Sequence, residues 1–157
     1  GAEAPYFTDK PTWDCHSDLL LWAAYDEQGH LCRPAQHVDD LSQDLAYCLS
    51  TEHDVRSSYS HLWDVVLWLP CEFEFVFQSD DINGEEVLVG SSRMLIAQLQ
   101  RLNDRTWRAD TPTLRRWRRE GADHGASLEV GARFAFALML ELTTEAVEHR
   151  LPMRLDW

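Results

Sequence analysis

The chain has 157 residues, the size of one ordinary domain, and 45% of them are hydrophobic; that much apolar material supplies a core and excludes global disorder. Its formal net charge of -13 opposes long-range attraction to nucleic acid or anionic lipid. The longest apolar run, Phe134 to Leu140, is far too short to cross a bilayer, so neither nucleic acid nor a membrane is an expected partner.

The opening GAEAP is either an expression remnant or the start of a processed chain. In WDCHSDLLLWAAYDEQG, apolar residues at Leu19, Leu20, Trp22, Ala23 and Ala24 predict a helix that starts near Asp14 or Ser17 and ends before Gly29. In RPAQHVDDLSQDLAYCLS, the stripe Val38, Leu41, Leu45, Cys48 and Leu49 predicts a second helix with Pro34 in its first turn. A polar loop, STEHDVRSSYS, follows. HLWDVVLWLP, short, β-branched and aromatic, fits helix or strand, and helix is favoured.

CEFEFVFQ alternates, with Cys71, Phe73, Phe75 and Phe77 on the buried side, and predicts a half-buried strand. Asn83-Gly84 is a hairpin signal, and EVLVG returns as the second strand. Two strands alone are marginal, so this hairpin has to lie on the helices or gain another strand. SSRMLIAQLQRLN begins with capping serines and carries Leu95, Leu99 and Leu102, an amphipathic helix. TPTLRRWRRE predicts a short helix begun by Thr111 or Thr113. The longest element runs through SLEVGARFAFALMLELTTEAVEHR. It is apolar nearly all round between Ala132 and Leu142, which marks a buried central helix, and Pro152 stops it. The tail LPMRLDW is apolar enough to dock on the core. The expected fold is a single α+β domain, predominantly α-helical, with about five helices around the C-terminal helix and one β-hairpin near residues 71–90.

Charge is unevenly placed. Residues 1–90 carry three basic against eighteen acidic residues, a balance of -15, and residues 91–157 carry eleven arginines against nine acids. The arginine island Arg115, Arg116, Arg118 and Arg119 around Trp117 looks like a polyanion site in isolation. Against the acidic half, it reads instead as counter-charge, with Arg115 and Arg119 meeting carboxylates of this protein or of a second copy.

Chemical motifs are sparse. Cys32 with His37 and Cys48 with His53 lack zinc-ligand spacing, so no metal is expected. The four cysteines are expected reduced, with Cys48 and Cys71 buried in apolar stripes. Gly90-Ser91-Ser92 reads as a helix cap rather than a phosphate cradle. No cofactor is expected, and a non-enzymatic role is favoured.

The acidic clusters carry the leading expectation. Asp39, Asp40 and Asp44 lie near the predicted second helix, where Asp40 and Asp44 at i, i+4 repel each other. Asp80, Asp81, Glu85 and Glu86 crowd the hairpin tip. Together they point to a surface for a basic protein partner, with Tyr59 or Trp63 as an exposed aromatic anchor. The profile is similar in composition to bacterial immunity proteins, small acidic inhibitors, which implies occlusion of a basic toxin or nuclease. The location expected for such a chain is the cytoplasm, or else the periplasm. A rival reading is an enzyme or small-ligand pocket built from His53, Asp54, His61 and Asp64, since a histidine held by a carboxylate can act as a base. A third is a homo-oligomeric regulatory module, at its simplest a homodimer.

Overall fold

A computed structural model describes residues 13–155, and the opening GAEAP lies outside them. Helix α1 (Trp13–Glu27) is followed by a 3-10 turn (Leu41–Gln43) and the short α2 (Leu45–Ser50). Strands β1 (Leu67–Leu69), β2 (Phe77–Asp80) and β3 (Glu86–Ser91) come next, then α3 (Ser92–Arg105), α4 (Thr111–Glu120), α5 (Leu128–Glu148) and β4 (Met153–Arg154). The fold is α+β and predominantly helical, with five helices and one small sheet among the described residues.

The helices start where the sequence supplies acceptors for their unpaired N–H groups. Ser91 caps α3, Asp110 caps α4 with Pro112 in its first turn, and Ser127 caps α5. Gly121, at φ 66°, ends α4. Helix α5 is buried on several sides at Ala132, Ala135, Phe136, Ala137, Leu138 and Met139, as its all-round apolar sequence requires. Helices α1, α3 and α4 all pack on it.

The α1–α5 contact is close enough to need a glycine. A Cβ added at Gly131 would lie 2.0 Å from Asp18 Oδ2. Asp18 is buried, and its Oδ1 meets His37 Nδ1 at 2.7 Å.

Aromatic packing binds the helical layer. Trp22 of α1 stacks on Trp107 at 4.7 Å and 15°, and Trp107 meets Trp117 of α4 and Phe136 of α5 edge-on. The Arg33 guanidinium covers the Trp22 ring at 3.5 Å.

The sheet has the order β2-β3-β1-β4. Strand β3 pairs antiparallel with β2 and parallel with β1, and β4 adds antiparallel to β1. The hairpin thus gains the further strands its marginal size demands. The tail docks as expected: β4 belongs to the sheet and Leu155 is buried.

Three element assignments differ from the sequence reading. Residues 61–69 form turns and then strand β1, not a helix. Trp68 is fully buried there and its Nε1 donates to the His61 carbonyl at 2.7 Å, which fixes an extended path. Residues 34–40 are not helical. Asp40 caps the 3-10 turn and Asp44 caps α2, so the segment is two short capped pieces and the two carboxylates do not repel across one helix. The alternating run 71–78 joins the ladder only from Phe77. Before that point, core side chains take the carbonyls a neighbouring strand would have taken: Ser91 Oγ donates to Cys71 O, and His61 Nε2 donates to Glu74 O. Cys48 and Cys71 consequently lie exposed rather than buried, and no disulfide joins any of the four cysteines.

Candidate protein-interaction surface

Strand β2 is an outer edge of the sheet, and all four of its residues are exposed. The hairpin also exposes large apolar side chains: Phe75 at 74%, Phe77 at 45% and Ile82 at 97%. Alternation had placed Phe75 and Phe77 toward the core. They stand out because β2 is the last strand of the sheet, and residues before it leave the ladder. Single exposed apolar residues are ordinary, but three in the short run from Phe75 to Ile82 are not.

The charge around them is of one sign. Between Arg56 and Arg93 the chain contains no lysine or arginine and seven carboxylates, Asp64, Glu72, Glu74, Asp80, Asp81, Glu85 and Glu86. Glu72, Glu74, Asp80, Glu85 and Glu86 are exposed. Asp81 is different. Its Oδ1 accepts from the Asn83 and Glu85 N–H groups at 2.8 and 2.9 Å, and Arg154 meets its Oδ2 at 3.0 Å. The Glu85 N–H foremost, then Asn83 and Arg154, hold its carboxyl below the usual range. Asp81 therefore builds the turn and is withdrawn from any partner.

The other acidic cluster is also largely spent inside the fold. Asp44 is buried, caps α2 through the Tyr47 N–H, and accepts from Tyr25 Oη at 2.8 Å. Asp40 accepts from the Ser42 hydroxyl and N–H, which lower its pKa. Asp39 is fully exposed, 3.9 Å from His37 Nε2, which also faces Asp14 at 3.6 Å. Sequence spacing gave no sign of this His37 cluster, which joins α1 to the following loop. Burial raises the Asp18 pKa, and the His37 hydrogen bond opposes that rise.

The proposed aromatic anchors are not at the surface. Tyr59 is 1% exposed and donates to Asp26 Oδ2, and Trp63 is 7% exposed and donates to Ser57 Oγ. Both help hold residues 57–63 against α1 and α2; the large apolar side chains that are exposed nearby in the chain are Phe75, Phe77 and Ile82 instead.

The histidine pocket does not assemble. His61 is fully buried, with Nδ1 accepting from the Ser91 N–H at 2.9 Å and Nε2 donating to Glu74 O at 2.8 Å. Both ring nitrogens are satisfied, and burial pushes the His61 pKa down. Asp64 accepts from Tyr47 Oη at 2.9 Å, while His53 and Asp54 lie exposed in a turn. Among the described residues, no three His, Cys, Asp or Glu side chains are placed to hold a metal ion.

The arginine island turns toward its own helices. Arg118 meets Glu141 of α5 at 3.0 Å, and Arg116 lies 3.8 Å from Glu120. Arg115 and Arg119, expected to find carboxylates, are exposed and make no ion pair among the described residues. The reason is geometric: Trp117 anchors α4 on α5, so the neighbouring Arg118 reaches α5 rather than the acidic first half.

No helix of the described chain is long and apolar enough to cross a membrane. Comparison with protein-family models, with curated proteins and with solved structures found no match.

Proposed function

We propose that this chain is a non-enzymatic binding domain that captures a basic protein through its β2–β3 hairpin and acts by covering that partner's cationic surface, as an inhibitor or immunity-type protein would. The observation that carries the reading is the exposure of Phe75, Phe77 and Ile82 in a segment whose charged residues are all carboxylates, most of them exposed. Aromatic and aliphatic anchors supply binding energy at the centre of an interface, while the surrounding charges steer approach. The partner-facing residues in this reading are Phe75, Phe77, Asp80, Ile82, Glu85 and Glu86.

The test is association with a panel of small basic proteins, followed by surface plasmon resonance at low salt. Neutralising Asp80→Asn, Glu85→Gln and Glu86→Gln together should slow association about tenfold or more. Phe75→Ser with Ile82→Ser should instead speed dissociation. Neither set should move the melting temperature, because these side chains bury little. Binding that is absent, or indifferent to both sets, would refute the reading.

A further inference from the structure

We infer that the hairpin engages its partner by strand addition: an extended basic segment pairs with the free edge of β2 and becomes a fifth strand. This deepens the reading above and rests on it.

The ladder geometry says which backbone groups are available. In an antiparallel pair, residues alternate between those bonded to the neighbouring strand and those pointing away from it. The Asp81 N–H donates to the Glu85 carbonyl at 2.8 Å, so Asp81 and Glu85 are a bonded pair. Counting back along the register, Ser79 with Val87 and Phe77 with Val89 are bonded pairs as well. Gln78 and Asp80 then direct their N–H and C=O groups to the outer edge. The far side of β3 agrees: Leu88, opposite Gln78, gives its carbonyl to the Val66 N–H, away from β2. On the outer edge, the Asp80 C=O meets only Ser79 Oγ among the described residues, at 3.4 Å.

An unpaired edge is a template for another strand, and proteins protect such edges with charge, proline or a cover. Here Glu72, Glu74 and Asp80 are charged, but Phe75 and Phe77 are exposed on the same segment. Charge decides the occupant. A second copy on this edge would bring its own Asp80, with exposed Glu72, Glu74, Glu85 and Glu86 nearby in the chain, to a segment that already carries the same carboxylates and no cation, like against like. A segment with lysine or arginine at alternate positions meets the opposite charge at Asp80, and its intervening apolar side chains meet Phe77 on the other face. Main-chain bonds supply affinity, and the alternate side chains supply selectivity.

The probe is a short synthetic peptide alternating lysine with valine, added to the intact chain and followed by amide hydrogen exchange and fluorescence anisotropy. Binding should slow exchange at Gln78 and Asp80 by about tenfold or more. Gln78→Pro removes an outward N–H without touching the β2–β3 ladder, and should weaken binding by about tenfold while the fold persists. If the peptide binds with the Gln78 and Asp80 amides unchanged, strand addition is wrong and the basic-partner reading survives. Strand addition is equally wrong, with that reading intact, if basic proteins bind through the hairpin carboxylates and the peptide does not. If neither binds, both fail. Should Gln78→Pro disturb folding, the exchange pattern of the unmodified chain decides.

Discussion

Replacing Gly131 by alanine should destabilise the protein, although helix propensity alone argues the reverse. Alanine in a helix is favoured over glycine by up to about 1 kcal/mol. The added Cβ, however, would sit 2.0 Å from Asp18 Oδ2 and 3.0 Å from its Cγ. The carboxylate cannot retreat freely, because its Oδ1 is held by His37 at 2.7 Å. Displacing it forfeits a charge-linked hydrogen bond, about 1.5–3 kcal/mol, and forces repacking of α1 on α5, about 1–3 kcal/mol. Less the propensity gain, the net loss is about 3 kcal/mol, or a fall in Tm of roughly 10 °C for a chain of this size. Urea denaturation of Gly131→Ala, Asp18→Ala and the double variant measures it. The double variant should be little worse than Asp18→Ala alone, a coupling of about 2 kcal/mol. A Gly131→Ala protein as stable as the parent, or strictly additive losses, would refute the contact.

Stability should fall with acid in a definite window. Burial lowers the pKa of His16 to about 4 and also lowers that of His61. Their unfolded values lie near 6.5. A buried imidazole that stays neutral when folded binds fewer protons than the unfolded chain, so stability rises with pH across this interval. Unfolding midpoints should therefore drop between about pH 6.5 and 4, and a flat profile there would contradict the burial of these rings. Ser91→Ala should cost about 2 kcal/mol in urea denaturation, because it removes the cap of α3 and the donor to Cys71 O. A loss below about 0.5 kcal/mol would show that neither bond matters.

The helices from Ser92 onward were legible because their signals are local. Capping residues, the Leu95–Leu99–Leu102 stripe and the apolar wrap of 132–142 act over one or two turns. Helix α1 and strand β3 were legible in the same way, but residues 61–76 resisted because their path is decided by distant partners. Residues 67–69 became a strand through pairing with β3 and β4. Residues 71–76 lost their strand to Ser91 and His61, both remote in sequence. The acidic hairpin was readable as charge, but the exposure of Phe75 and Phe77 was not. Alternation names two faces of a strand and cannot say that the strand lies at the sheet's edge. Tyr59 and Trp63 misled for the complementary reason. Tyr59 sits in a polar loop and Trp63 just after it, yet Asp26 and Ser57 accept their polar hydrogens and let the rings go inside.

The indole stack of Trp22, Trp107 and Trp117 gives the molecule its own optical gauge. Two near-parallel rings at 4.7 Å, with a third nearly perpendicular to the second, make a chiral chromophore that exists only while α1, α4 and α5 are docked together. Near-ultraviolet circular dichroism should carry that signature and lose it as soon as the helices loosen, even with their far-ultraviolet signal intact. The stack lies outside the sheet. Capture of a partner at the hairpin should leave this band in place, and loosening of the helical layer should erase it, so one spectrum separates the two events.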